Sequence, residues 1–185
     1  MSDAATVEGD DRLRLFLALE LPADVSEEIA GWAVRHVVAG RRAGTYHATL
    51  AFLGSQPRAV LAPVVEMLRQ EAAATEPFPL EIARYRETRA VGMLVLDDPS
   101  GRATSLAARV HAGLERLGVY ERERRAWLPH VTVVRFRERP RLRPPLPETR
   151  TFVPSGAAAF LSRLHRAGVK YEVLESCPIG RRRRG

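Results

Sequence analysis

Two stretches of the chain repeat one short pattern in one kind of setting. YHATLAFLG at 46–54 and LPHVTVVRF at 128–136 each hold a histidine, a small or β-branched residue, a threonine and an apolar continuation. Such apolar, β-branched runs are strand-forming. Residues i and i+2 of a strand point to one face about 6.6 Å apart, so His47 stands beside Thr49, and His130 beside Thr132. One such pair is ordinary. With nine threonines in 185 residues, two of five histidines gain a threonine two positions on with a chance of roughly 2 to 3% from composition alone.

What precedes each histidine strand repeats as well. RLRLFLALEL at 12–21 places leucines 13, 15, 17, 19 and 21 on one parity and Arg12, Arg14, Phe16, Ala18 and Glu20 on the other, which predicts a strand with one buried face. Pro22 ends it. A helix follows, with Val25, Ile29, Trp32 and Val37 at near-helical spacing, and Gly40 and Gly44 bracket a basic loop before the first histidine strand, which stops at Gly54. Residues 58–74 predict a second helix, with Pro63 tolerable in its first turn or as a kink. Strands are expected at 78–88 and 91–98, then an amphipathic helix from Ser100 to Gly118, and then the second histidine strand. Residues 137–150, with four prolines and five arginines, predict an extended loop, and 152–164 and 170–179 predict closing strands. Strand, helix and histidine strand thus occur twice. The expectation is an α+β fold of two similar lobes built on antiparallel sheets.

Forty-five per cent hydrophobic residues suffice for a core, and one domain is expected over 12–180 between a disordered acidic start at 1–11 and a disordered Arg-rich tail at 181–185. No apolar run approaches the ~20 residues that span a bilayer, and the polar start lacks the marks of a secretory signal, which predicts a cytoplasmic protein without a membrane partner. The one cysteine, Cys177, sits in an apolar strand pattern and is expected to be a packed thiol. The net charge is +7, and all of it remains in 12–180 once the four acids of the start cancel the four bases of the tail. A phosphate-rich partner suits that excess, although a genomic bias accounts for the predominance of arginine over lysine.

Hydrolysis of a cyclic phosphodiester needs a base to activate water and an acid across phosphorus to protonate the leaving oxygen. Imidazole serves both needs near neutral pH, and threonine hydroxyls can donate to the non-bridging oxygens. No metal-ligand set is visible, so neither metal nor cofactor is expected. His36, His111 and His165 lack the motif and read as surface or core-edge residues. Arg135 would bring a guanidinium to the phosphate. Its parity is that of Val131 and Val133, so either the strand bends or bulges after Val134 or Arg135 lies outside the site. Phe16 has two readings: a base-stacking residue on the cleft floor, or an aromatic at a lobe interface.

The two histidine motifs, the opening RLRLFLALELP and the closing YEVLESCPI resemble the two-histidine phosphoesterase superfamily, and within it the RNA 2′,3′-cyclic phosphodiesterases first named 2′-5′ RNA ligases (LigT/ThpR-like), over residues 12–180. The resemblance implies a bilobal fold with a central cleft and helices on the outer faces. It implies hydrolysis of RNA 2′,3′-cyclic phosphate ends to 2′-phosphomonoesters, with reversible 2′-5′ ligation as a minor activity; a monomer with no obligate protein partner is expected. His47 would be the acid at O3′, His130 the base, and Thr49, Thr132 and Arg135 would hold the phosphate. The chain departs from the family in GRRAGTY before the first motif and in the loop 137–150, both bearing on the RNA-binding rim. Two other readings are action on another cyclic or 2′-5′-linked nucleotide, and a non-catalytic RNA-binding module using Arg14, Arg41, Arg42 and the region 139–143.

Overall fold

A computed structural model describes residues 12–165 and 168–180, so the expected disordered start and tail lie outside the described residues. The leucine alternation forms β1 (Arg12–Glu20), followed by α1 (Ala23–His36), the two-residue β2 (Arg41–Arg42) and β3 (His47–Pro57). A 3-10 turn (Arg58–Val60) leads into α2 (Leu61–Ala73), where Pro63 occupies the first turn and so breaks no helical hydrogen bond. Then come β4 (Leu80–Glu87), β5 (Val91–Asp97), α3 (Arg102–Arg116), β6 (His130–Arg135), β7 (Thr151–Phe152), β8 (Gly156–His165) and β9 (Gly168–Cys177). α3 opens after Gly101, with the Thr104 N–H donating to Asp98 Oδ2, and ends before Gly118; both glycines have positive φ. No helix among the described residues is long and apolar enough to cross a membrane.

The strands join edge to edge in one curled antiparallel sheet of order β7-β4-β5-β6-β3-β1-β8-β9, with β2 pairing β6. The α+β class and the two sets of strands match expectation, but the halves of the chain interlock. The C-terminal β8 and β9 complete the sheet of the first histidine strand, whereas β2 crosses to the second. Between the sets, β3 meets β6 at the single pair Ala48↔Val131. The helices cover one face of this sheet, where α2 packs on β8, β9 and α3, and α3 on β3.

Four local expectations are corrected. β1 is buried on both parities from Leu15 to Leu19, because Phe16 and Ala18 pack with Ala158 and Phe160 in a second cluster on the open face. β3 continues through Gly54 to Pro57, since the register with β1 skips Leu53 and Gly54, at φ +68°, absorbs the extra residue. Residues 41–42, expected in a loop, add to β6; Gly40 permits this at φ +81°, where a Cβ would lie 2.6 Å from the Arg135 carbonyl oxygen. The expected strand at 152–164 is split, because Pro154 lacks an N–H, so β7 pairs with β4 and β8 with β1, at distant places in the sheet.

The loop at 137–150 is held from inside. The side chain of Glu87, 2% exposed, accepts from the backbone N–H groups of Arg141 and Leu142, from Arg139 Nε and from the Tyr85 hydroxyl. Farther along, Trp32 Nε1 of α1 donates to the Pro145 carbonyl at 2.7 Å, and Glu28 accepts from the Thr149 N–H. Glu87→Ala should therefore cost about 1–3 kcal/mol in urea unfolding, because it leaves two part-buried backbone N–H groups and the Tyr85 hydroxyl without their acceptor. Arg139→Ala should cost under about 1 kcal/mol, since Arg139 is half-exposed and the other three donors keep their acceptor.

Candidate active site

Antiparallel register around Ala48↔Val131 sets His47 across from Thr132 and Thr49 across from His130. All four side chains are part-exposed on the face away from the helices, while Ala48, Leu50, Val131 and Val133 point into the core. The four line an open cleft of about 990 Å³ together with Arg135, Phe52, Arg41, Arg86, Trp127 and Tyr171.

Each motif then breaks its alternation at the same position. The pairing of β3 with β1 runs Ala18↔Thr49 and Leu17↔Ala51, skipping Leu50. The pairing of β6 with β5 runs Met93↔Thr132 and Gly92↔Val134, skipping Val133. A β-bulge therefore follows each threonine, and two consecutive buried residues (Leu50 and Ala51, Val133 and Val134) restart the alternation one residue late. Arg135 consequently emerges on the cleft face with His130 and Thr132, which resolves its parity. The same step brings Phe52, 61% exposed, onto the cleft face beyond His47 and Thr49.

A bulge leaves backbone acceptors outside the ladder. The skipped Leu50 carbonyl accepts from His111 Nε2 at 2.8 Å, and the adjoining Thr49 carbonyl from Trp127 Nε1 at 2.9 Å. In the second motif the Val133 carbonyl accepts from the Ala43 N–H at 2.9 Å. His111, expected at the surface or core edge, is buried and donates here, and Trp127 attracted no notice in the sequence. A tryptophan two residues before Pro129, in the segment that leads into the second motif, was the available signal.

His47 lies among aromatic rings, with centroids 4.9 Å from Phe16, 5.4 Å from Phe160 and 5.4 Å from Tyr171. Its Nδ1 is buried without a partner among the described residues. Loss of water around the ring, then the nearby Arg135 and His130 charges, push its pKa down to about 4. The free protein thus holds His47 neutral near pH 7. An unpaired buried lone pair costs less than an unpaired N–H, which favours Nδ1 bare and the proton on Nε2. His130 is placed differently. Its Nδ1 lies 2.8 Å from the Leu128 carbonyl, which can only accept, so Nδ1 carries the proton and Nε2 of the neutral ring keeps its lone pair.

The hydroxyls of Thr49 and Thr132 have no hydrogen-bond partner among the described residues and remain free to donate. Phe16 does not fit the stacking reading: at 1% exposed it underlies His47, and the exposed aromatic on this face is Phe52. Cys177 is buried, which pushes its thiol pKa up, as expected of a packed side chain. None of 137–150 lines the cleft, whereas Arg41 and Arg42 do. Among the described residues no three His, Cys, Asp or Glu side chains gather as a metal site.

Known proteins are similar to this chain in sequence and in fold. A family profile described as the 2′-5′ RNA ligase superfamily matches residues 21–160. An RNA 2′,3′-cyclic phosphodiesterase of Escherichia coli (strain K12) is 30% identical over 132 residues, covering 66% of this chain and 71% of that protein. The crystal structure of E. coli LigT complexed with 3′-AMP superposes with a TM-score of 0.79 at 23% identity, over 92% of this chain and 99% of that one. The crystal structure of TT0787 of Thermus thermophilus gives 0.77 at 24%, over 92% and 100%. The two structures share the fold.

Proposed function

Because the chain belongs to the 2′-5′ RNA ligase superfamily, we propose that it is a metal-independent RNA 2′,3′-cyclic phosphodiesterase in which His47 and His130 are the acid and base. The observation that carries this reading is the pair of bulged His-x-Thr strands facing one cleft, with Arg135 beside them. The phosphate lies between the two imidazoles. His130 Nε2 takes a proton from water, the water oxygen bonds to phosphorus, and the bond from phosphorus to O3′ breaks as His47 Nε2 delivers its proton to O3′. The product is a 2′-phosphomonoester. The hydroxyls of Thr49 and Thr132 and the guanidinium of Arg135 donate to the non-bridging oxygens. Reversible joining of 2′-5′ ends follows when a ribose hydroxyl replaces water. In this reading the enzyme is a cytoplasmic monomer acting on RNA ends, and phosphorus NMR of the product tests it by separating the 2′-monoester from any other.

The acid role has a consequence for pH. In the free enzyme only a minor fraction carries the His47 proton near neutrality, but an imidazolium of low pKa is a strong acid, which offsets its scarcity. A phosphodiester substrate keeps one fixed negative charge over this range. The acid limb of kcat/KM should therefore report His47 at about 4. Phe16→Ala admits water beside the ring and relieves the largest cause of the depression, so the limb should rise by roughly one pH unit. Phe16→Leu, which keeps the contact apolar, should leave the limb in place.

A further inference from the structure

The two ends of the cleft differ in charge. The eight ion pairs among the described residues use seven arginines, and two of these, Arg122 and Arg125, line the Phe52 end, where Glu115 and Glu123 offset them. At the other end stand Arg135 and Arg86, and neither takes part in any ion pair among the described residues. The sheet register shows why they converge. Arg86 pairs with Met93, and Met93 with Thr132, so all three share the cleft face. Arg86 thus stands two strand spacings, about 10 Å, to the side of Thr132, within the combined reach of a guanidinium and an extended nucleotide. Arg41 pairs with Arg135 from the opposite edge of β6, so it stands on the far side of Arg135 from Arg86.

One reacting phosphodiester carries one negative charge, and Arg135 with two hydroxyls already meets its oxygens. A further cation held on the same face, Arg86, with no acid to neutralise it among the described residues, suits a second phosphate. On an RNA end whose 2′ and 3′ oxygens are in the ring being opened, the next phosphate is the one on the 5′ oxygen.

We propose, building on the reading of this cleft as an RNA-end site, that Arg86 forms a second subsite that takes the phosphate on the 5′ oxygen of the terminal nucleotide. The favoured substrate is then an RNA chain end, and a free nucleoside cyclic phosphate fills the site only in part. The ligand chemistry is shared by a 5′-phosphomonoester and by the phosphodiester of a longer chain.

Three substrates separate the possibilities: adenosine 2′,3′-cyclic phosphate, the same nucleotide bearing a 5′-phosphate, and the dinucleotide ApA ending in a 2′,3′-cyclic phosphate. Both phosphate-bearing substrates should exceed the first in kcat/KM by tenfold or more. Their log kcat/KM should fall with log salt more steeply than that of the first, because salt screens the added contact between charges. Arg86→Gln should remove most of that advantage, and Arg86→Lys should restore part of it. An advantage confined to the dinucleotide and indifferent to Arg86→Gln overturns the subsite, as does a loss that is equal on all three substrates. Hydrolysis of none of the three overturns instead the phosphodiesterase reading on which the subsite rests.

Discussion

Alanine at His47 or at His130 is expected to lower kcat/KM for adenosine 2′,3′-cyclic phosphate by about 10²–10⁴-fold, in buffer containing EDTA, with the circular dichroism of the fold retained. Both imidazoles are part-exposed, and neither makes a side-chain bond that holds the sheet together, so the loss should be chemical. The double variant should be little worse than either single one, because an acid and a base serving one transition state act as a unit. Alanine at Thr49 or Thr132 removes one of several donors to the non-bridging oxygens and should cost less. Complete inhibition of the wild-type protein by EDTA would sink the mechanism, since no step in it uses a metal.

The histidine and threonine pairs were legible because they need only the period of two, which is local. Arg135 was not legible from spacing, and the reason is physical. A bulge is one extra residue in one strand of a ladder, and its place depends on which residue of the neighbouring strand pairs with which. The skips at Leu50 and Val133 exist only relative to β1 and β5. Once both are seen, HATLAF and HVTVVR are one device used twice, with phenylalanine at the sixth position in one and arginine in the other. Resemblance had supplied Arg135; the paired bulges supply its cause.

Long-range partners stayed hidden for the same reason. Phe16 stood on a parity that the alternation of leucines assigns to solvent, yet β8 brings Phe160 against it at 4.8 Å and turns it into the floor beneath His47. His111 carried no motif, and its role appears only when α3 is packed on β3. Glu87 carried no motif, and only the return of 139–142 brings donors to its buried carboxylate. Periodicity tells which way a side chain points. It does not tell what comes to meet it.

Arg135 therefore admits a test of position as well as of importance. Arg135→Ala should lower kcat/KM by about 10²–10³-fold, the scale of losing a preorganised donor to charge on the transferring group. It should also move the pH profile. The Arg135 cation is the second cause of the His47 depression, after desolvation, so removing it favours the imidazolium and raises the acid limb above its value near 4. Desolvation remains, so the limb should still lie below the ordinary histidine value of about 6.5. Arg135→Lys separates the two effects. Its ammonium keeps a charge near His47, so the limb should stay low, while the loss of the planar fork should still reduce kcat/KM. A fall in rate without movement of the limb in the alanine variant would place the guanidinium too far from His47 to share a phosphate with it, and the bulge after Thr132 would then have no catalytic purpose.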